Sequence, residues 1–230
     1  MSAQVGRREA NKQATRAALA AAAKRLFAER GFEQTTVRDI ARAATVTERT
    51  FYRYFDGKEG LLAEEYLSWL NRLQDAIVAR PAAEAPLVAV QRAMMAVARQ
   101  AAAEQGPAPV WVFSEGPPLR TLRRFEPRPL LRLEASISTA ILIRMRTGRA
   151  AAEPEAAPAG GDEEFRTKVL GRVVIAALRS ALIRYRELRA AGADGPYAVE
   201  QLLDQAFAII RAEAAEASAG DQPEDNGASS

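Results

Sequence analysis

Apolar residues recur at three- and four-residue spacing along most of the chain, and no stretch alternates with period two between hairpin turns, so the pattern predicts an all-α protein. Leu19, Ala22, Ala23, Leu26 and Phe27 make one stripe of a first helix from Asn11 to about Arg30, and Gly31 stands where a helix C-cap belongs. Thr36 can cap a short second helix whose inner face is Val37, Ile40, Ala41 and Ala44. A tight turn at Thr45 and Val46 leads to Thr47, a second capping candidate, and to a third helix reaching Phe55, which Asp56-Gly57 interrupts. A long helix then runs from Lys58 through Leu61, Leu62, Tyr66, Trp69, Leu70 and Leu73 to about Arg80, where Pro81 stops it.

Further helices are expected at roughly 86–104 and 128–147, with a region between them broken by Pro107, Pro109, Pro117 and Pro118. Gly148 to Glu164 mixes small residues, prolines and acids without apolar period and reads as a surface connection. Two strong helices follow, at about 163–190 and 197–216. The predicted organisation is a flexible tail (1–10), a helix-turn-helix unit (11–60), a larger helical unit (61–217) and a disordered tail (218–230).

The third helix carries four aromatic rings and two arginines within seven positions. At about 100° per residue, Thr47, Phe51 and Phe55 share one side, while Arg49, Tyr52 and Arg53 point the other way and Thr50 and Tyr54 lie at the flank. The two phenylalanines therefore anchor the helix against Leu26, Val37, Ile40 and Ala41. The outward set suits a DNA groove: arginine can fork onto guanine, and tyrosine can reach a phosphate or a thymine methyl.

Composition narrows the chemistry. The chain has 230 residues, of which 48% are hydrophobic, enough for a real core. It has no cysteine and no histidine, which removes disulfides, thiolate nucleophiles, ordinary zinc sites and His-based triads; no metal or other cofactor is expected. There is no Gly-rich phosphate loop or carboxylate pair at a recognisable spacing, so an enzyme is not expected. No run approaches the roughly 18 apolar residues of a membrane span, and the first thirty residues make a poor signal peptide, so no membrane partner and a cytoplasmic location are expected. Residues 1–60 hold twelve Lys/Arg against seven Asp/Glu, net +5, whereas residues 61–230 are net −2. A polyanionic partner is attracted by such a localised excess.

The stretch GFEQTTVRDIARAATVTERTFYRYFDGKEGLL, Gly31 to Leu62, resembles the DNA-binding domain of TetR-type transcriptional regulators in the spacing of Gly31-Phe32, Thr36, Ile40-Ala41, Val46, Phe51-Tyr52, Tyr54-Phe55 and Lys58-Leu61-Leu62. The likeness extends over about residues 11–65. It implies a homodimer that binds double-stranded operator DNA, and a helical C-terminal domain that dimerises and binds a small effector. It also implies that Thr36 and Thr47 donate to phosphates, that Arg38, Arg49, Tyr52 and Arg53 approach bases or nearby phosphates, and that Tyr54 and Lys58 clamp the backbone; Thr50, at the flank of the third helix, lies level with a phosphate backbone if that helix sits in a major groove. Thr45 departs from the glycine usual in the turn; a β-branched residue resists positive φ, so strain or a re-formed turn is expected there.

For the effector, Met94, Met95, Trp111, Phe113, Phe125, Ile141 and Met145 suit an apolar cavity. Arg120 to Arg149 contains eight arginines and only Glu126 and Glu134 as acids, a cationic rim suited to an amphipathic anion. The C-terminal half is similar to a TetR subgroup associated with acyl-CoA-like ligands, which implies an acyl-CoA or related effector. The last two helices carry stripes too wide for one buried face, and Val173, Ala177, Ala181, Leu202, Ala206 and Ile209 are the expected dimer surface.

Overall fold

The computed structural model describes residues 2–103, 124, 128–152, 161–191 and 199–220. Its elements are α1 (Ser2–Arg30), α2 (Val37–Ala43), α3 (Glu48–Tyr52), α4 (Gly57–Val78), α5 (Pro86–Ala103), α6 (Pro129–Ala152), α7 (Gly161–Ala190) and α8 (Val199–Gly220), and no strand occurs among the described residues. The chain divides into two compact units, Met1–Gly171 and Arg172–Ser230.

Five boundaries differ from expectation. α1 begins at Ser2 rather than Asn11, because the Ala, Arg, Glu, Lys and Gln before Thr15 are good helix formers, and residues 6–14 stay helical while all exposed. α3 stops at Tyr52 rather than Phe55: the amides of Arg53 and Tyr54 bond back three residues, to Thr50 at 3.3 Å and Phe51 at 2.9 Å, tightening the last turn. α6 continues to Ala152 and α7 starts at Gly161, which shortens the expected connection to 153–160. α8 continues to Gly220, past the expected start of the tail. The Pro-broken region 104–123, residues 153–160 and the tail 221–230 lie outside the described residues.

In the first unit, α1, α2 and α3 close around Leu19, Ala23, Leu26, Phe27, Ile40, Ala41, Phe51 and Phe55, all buried. Gly31 ends α1 at φ +81°, a left-handed cap that glycine adopts freely, and its amide bonds the Phe27 carbonyl at 2.9 Å. α4 buries Leu62, Tyr66, Trp69, Leu70, Leu73 and Ile77 and packs on α5 and α6. Its Tyr66 hydroxyl donates to the Pro129 carbonyl at 2.5 Å, fixing the start of α6.

The far end of α4 is held by Arg144 of α6, a buried cation. Its guanidinium donates to the carbonyls of Arg80 at 3.3 Å, Glu84 at 2.5 Å and Pro81. Three carbonyls of the connection that follows α4 thus share one donor group, and the buried charge finds acceptors. Burial nevertheless pushes the Arg144 pKa down. The Glu84 carboxylate receives Arg80 on both oxygens and Arg92 at 2.6 Å. Glu163, buried at the start of α7, receives Arg149 at 2.8 Å with Arg146 at 3.7 Å, which fastens α6 to α7. Gly171 completes that approach, since a Cβ there would fall 2.2 Å from the Ser138 hydroxyl.

In the second unit, Val174, Ala177, Leu178, Ala181 and Leu182 of α7 and Val199, Leu202, Leu203 and Phe207 of α8 are buried at helical spacing. Among the described residues no helix is long and apolar enough to cross a membrane.

Candidate nucleic-acid interface

The outward surface of α3 is built from two capped helices and one strained turn. Thr36 takes the extended backbone of an N-cap, and its hydroxyl oxygen accepts from the Asp39 amide at 3.1 Å while the Asp39 carboxylate accepts from the Thr36 amide at 3.3 Å. The Thr36 hydroxyl proton is directed at the same carboxylate, 2.6 Å away, and this bond holds the Asp39 pKa below the usual carboxylate range. Asp39 was missed in the sequence reading, although its place three residues after Thr36 is the signal of a reciprocal cap.

Between α2 and α3, Thr45 adopts φ +56°. The turn keeps its left-handed shape although a β-branched residue occupies it, so the strain foreseen at this position is present. It is imposed by the bonds on either side: the amides of Ala44, Thr45 and Val46 bond the carbonyls of Ile40, Arg42 and Ala41 at 3.0, 3.1 and 2.9 Å. Thr47 then caps α3, accepting from the Thr50 amide at 3.1 Å and sharing a 3.0 Å bond with the Thr50 hydroxyl.

Within α3 the two faces separate as the spacing predicts. Phe51 is 0% exposed and Phe55 4%, with ring centroids 5.5 Å apart, whereas Tyr52 is 59% exposed. Arg38, Thr47, Arg49 and Arg53 are exposed and Thr50 and Tyr54 half-buried. The Arg53 guanidinium lies 5.0 Å over the Tyr54 ring and donates to its hydroxyl at 3.1 Å, which steadies both at the flank.

Lys58 behaves differently from the expected backbone clamp. Its ammonium donates to the carbonyls of Phe32 at 2.7 Å, Thr35 at 3.0 Å and Glu33 at 3.4 Å and sits 4.4 Å over the Phe32 ring. An ammonium has three protons, and these carbonyls take all of them. Arg16 was also missed: it lies 5.5 Å over the Phe55 ring and pairs with Glu64, joining α1 to the α3–α4 junction.

The expected effector residues are less gathered. Met94 and Ile141 are buried, Met95 and Met145 half-buried, while Trp111, Phe113 and Phe125 lie outside the described residues. A cavity of about 240 Å³ opens between α4 and α6, lined by Leu67, Leu70, Asn71, Gln74, Arg132, Ala135, Ser136 and Thr139, and so by none of those residues. Of the expected dimer residues, Ala177, Ala181 and Leu202 are already buried within the chain and Val173 and Ala206 half-buried. Ile209 is 63% exposed, as are Ile183 at 52% and Phe165 at 67%.

Residues 19–64 match the model of bacterial regulatory proteins of the tetR family. The chain is 40% identical over 96 residues to the HTH-type transcriptional regulator TcmR of Streptomyces glaucescens, covering 40% of this chain and 41% of that protein. It is 48% identical over 48 residues to the HTH-type transcriptional repressor KstR2 of Rhodococcus jostii, covering 21% and 24%. It therefore spans less than half the length of these curated relatives. A TetR-family regulator of Syntrophomonas wolfei shares the fold over 89% of this chain and 96% of its own, with a TM-score of 0.55 at 19% identity. The fatty acid degradation regulator FadR of Bacillus halodurans shares it over 85% and 94%, with a TM-score of 0.50 at 18% identity.

Proposed function

We propose that this chain, which belongs to the tetR family of bacterial regulatory proteins, is a cytoplasmic DNA-binding transcriptional regulator that acts as a ligand-released repressor. The observation that carries this reading is the separation of faces on α3, with Phe51 and Phe55 buried and Arg49, Tyr52 and Arg53 turned outward. Arg49 and Tyr52 read base edges. Arg38, Thr36, Thr47, Thr50, Arg53 and Tyr54 meet phosphates around them, and Lys58 acts by holding the α1–α2 loop in place. Repression is favoured over activation by the name of the relative KstR2, a repressor.

A homodimer is favoured by the exposed Ile183 on α7 and Ile209 on α8, large apolar side chains on the two helices expected to form the interface. Two α3 helices then read half-sites about 34–36 Å apart, so the operator is an imperfect palindrome. The effector is a small amphipathic anion of acyl or acyl-CoA type, held by the larger helical domain. Arg132 supports an anion, being the arginine of the 120–149 run that lines the described cavity. Such a ligand shifts the protein off DNA only by its greater affinity for the form whose α3 helices are wrongly spaced.

Selection of bound duplexes from a random library, followed by competition with unselected DNA, tests the reading. A palindromic consensus preferred by about a thousandfold or more is expected. Equal binding to selected and unselected duplexes would contradict it.

A further inference from the structure

We propose that the start of α1, residues 6–16, is a basic arm that grips the phosphate backbone of duplex DNA beside the half-site read by α3; this rests on the regulator reading above. Every residue from Gly6 to Ala14 is exposed, and the first buried residue after them is Leu19. A stretch with no buried face draws nothing from packing, and its polar composition has to serve solvent or a partner. It carries Arg7, Arg8 and Lys12 against Glu9, a net charge of +2 ahead of Arg16. Lys12 and Glu9 are 3.8 Å apart with both side chains more than half exposed, an ion pair too weak to cancel that charge.

The placement gives the arm its partner. Arg16 lies over the Phe55 ring, and Phe55 follows Arg53 and Tyr54 at the end of the outward α3 surface. Arg8, Lys12 and Arg16 recur every fourth residue and so lie along one side of α1. Lys12 and Arg8 stand about 6 and about 12 Å farther out along the helix axis from Arg16. Arg16 is itself paired with Glu64, so Arg8 and Lys12 are the cations that lead away from the recognition surface and complement the regular charge of a DNA strand. An anionic membrane would need a large apolar face on the arm, and Gly6 to Ala14 offers only alanines.

The test compares the full chain with Arg8→Gln/Lys12→Gln and with a variant lacking residues 2–10, using a selected duplex and a random-sequence duplex in fluorescence anisotropy over a salt series. Both changes lie ahead of Leu19, the first residue after Gly6 that is buried, so the thermal midpoint should hold. The slope of log affinity against log salt should fall by about 2 for the double variant on both duplexes, with their affinity ratio unchanged. An unchanged slope alongside intact preference for the selected duplex would overturn the arm and leave the regulator reading standing. Loss of preference in the unaltered chain would overturn the regulator reading, and absence of any DNA binding would overturn both.

Discussion

The Lys58 ammonium, on the first turn of α4, stands 2.7 Å from the Phe32 carbonyl, in the loop that joins α1 to α2. With Thr35 and Glu33 as its other acceptors, one side chain ties the long helix to the entry of the helix-turn-helix. Lys58→Met should lower stability by about 1–2 kcal/mol, since charge-assisted bonds to carbonyls are lost. The salt slope of DNA binding should stay unchanged. A slope lower by about 1 in that variant would show that Lys58 contacts a phosphate instead.

Thr45 is the second point of tension. At φ +56° its side chain crowds its own backbone, and asparagine tolerates that region better. Thr45→Asn should raise stability by about 0.5–1 kcal/mol in chemical denaturation. A loss of stability would mean that the threonine side chain contributes a compensating contact.

Much of this unit was legible in the sequence because its determinants are local. Thr36, Thr47 and Gly31 announce helix ends by residue type, and the helical period sorts Phe51 and Phe55 from Arg49 and Tyr52. Tertiary donors were not legible. Nothing local indicates that Lys58 folds back onto carbonyls more than twenty residues earlier, or that Arg144 bonds the connection after α4 from over sixty residues away. The Arg120–Arg149 run reads as a cationic rim by composition, yet Arg144, Arg146 and Arg149 are engaged with carbonyls or with Glu163. The widths of the α7 and α8 stripes were legible, but not which side of each helix is buried within the chain, and Ala177 and Leu202 are buried while Ile183 and Ile209 are exposed.

Acid should expose the Glu84 cluster. Its bonds from Arg80, helped by Arg92, lower the carboxyl pKa from 4.5 to about 2. A depressed carboxylate pKa stabilises the folded chain above the unfolded value, and that contribution is lost as pH falls through the folded one. The thermal midpoint should therefore drop between pH 4.5 and about 2, and Glu84→Gln should flatten that part of the drop. An identical acid profile in the variant would show that the cluster does not couple to folding.

The exposed isoleucines give the dimer reading its own test. Ile183→Glu and Ile209→Glu should each shift sedimentation from dimer to monomer at micromolar concentration while leaving helical content intact, because both side chains are outside the core. A wild-type monomer under the same conditions would remove the basis for a palindromic operator.

The central claim is that neighbouring residues on α3 serve opposite purposes, and comparing Phe51→Ala with Tyr52→Ala tests it most directly. Phe51, fully buried, should lose about 3–5 kcal/mol of stability on truncation. Tyr52→Ala should change stability by less than about 1 kcal/mol and weaken binding to the selected duplex by about 1–3 kcal/mol. Wild-type DNA affinity in Tyr52→Ala would contradict the assignment of that face to DNA.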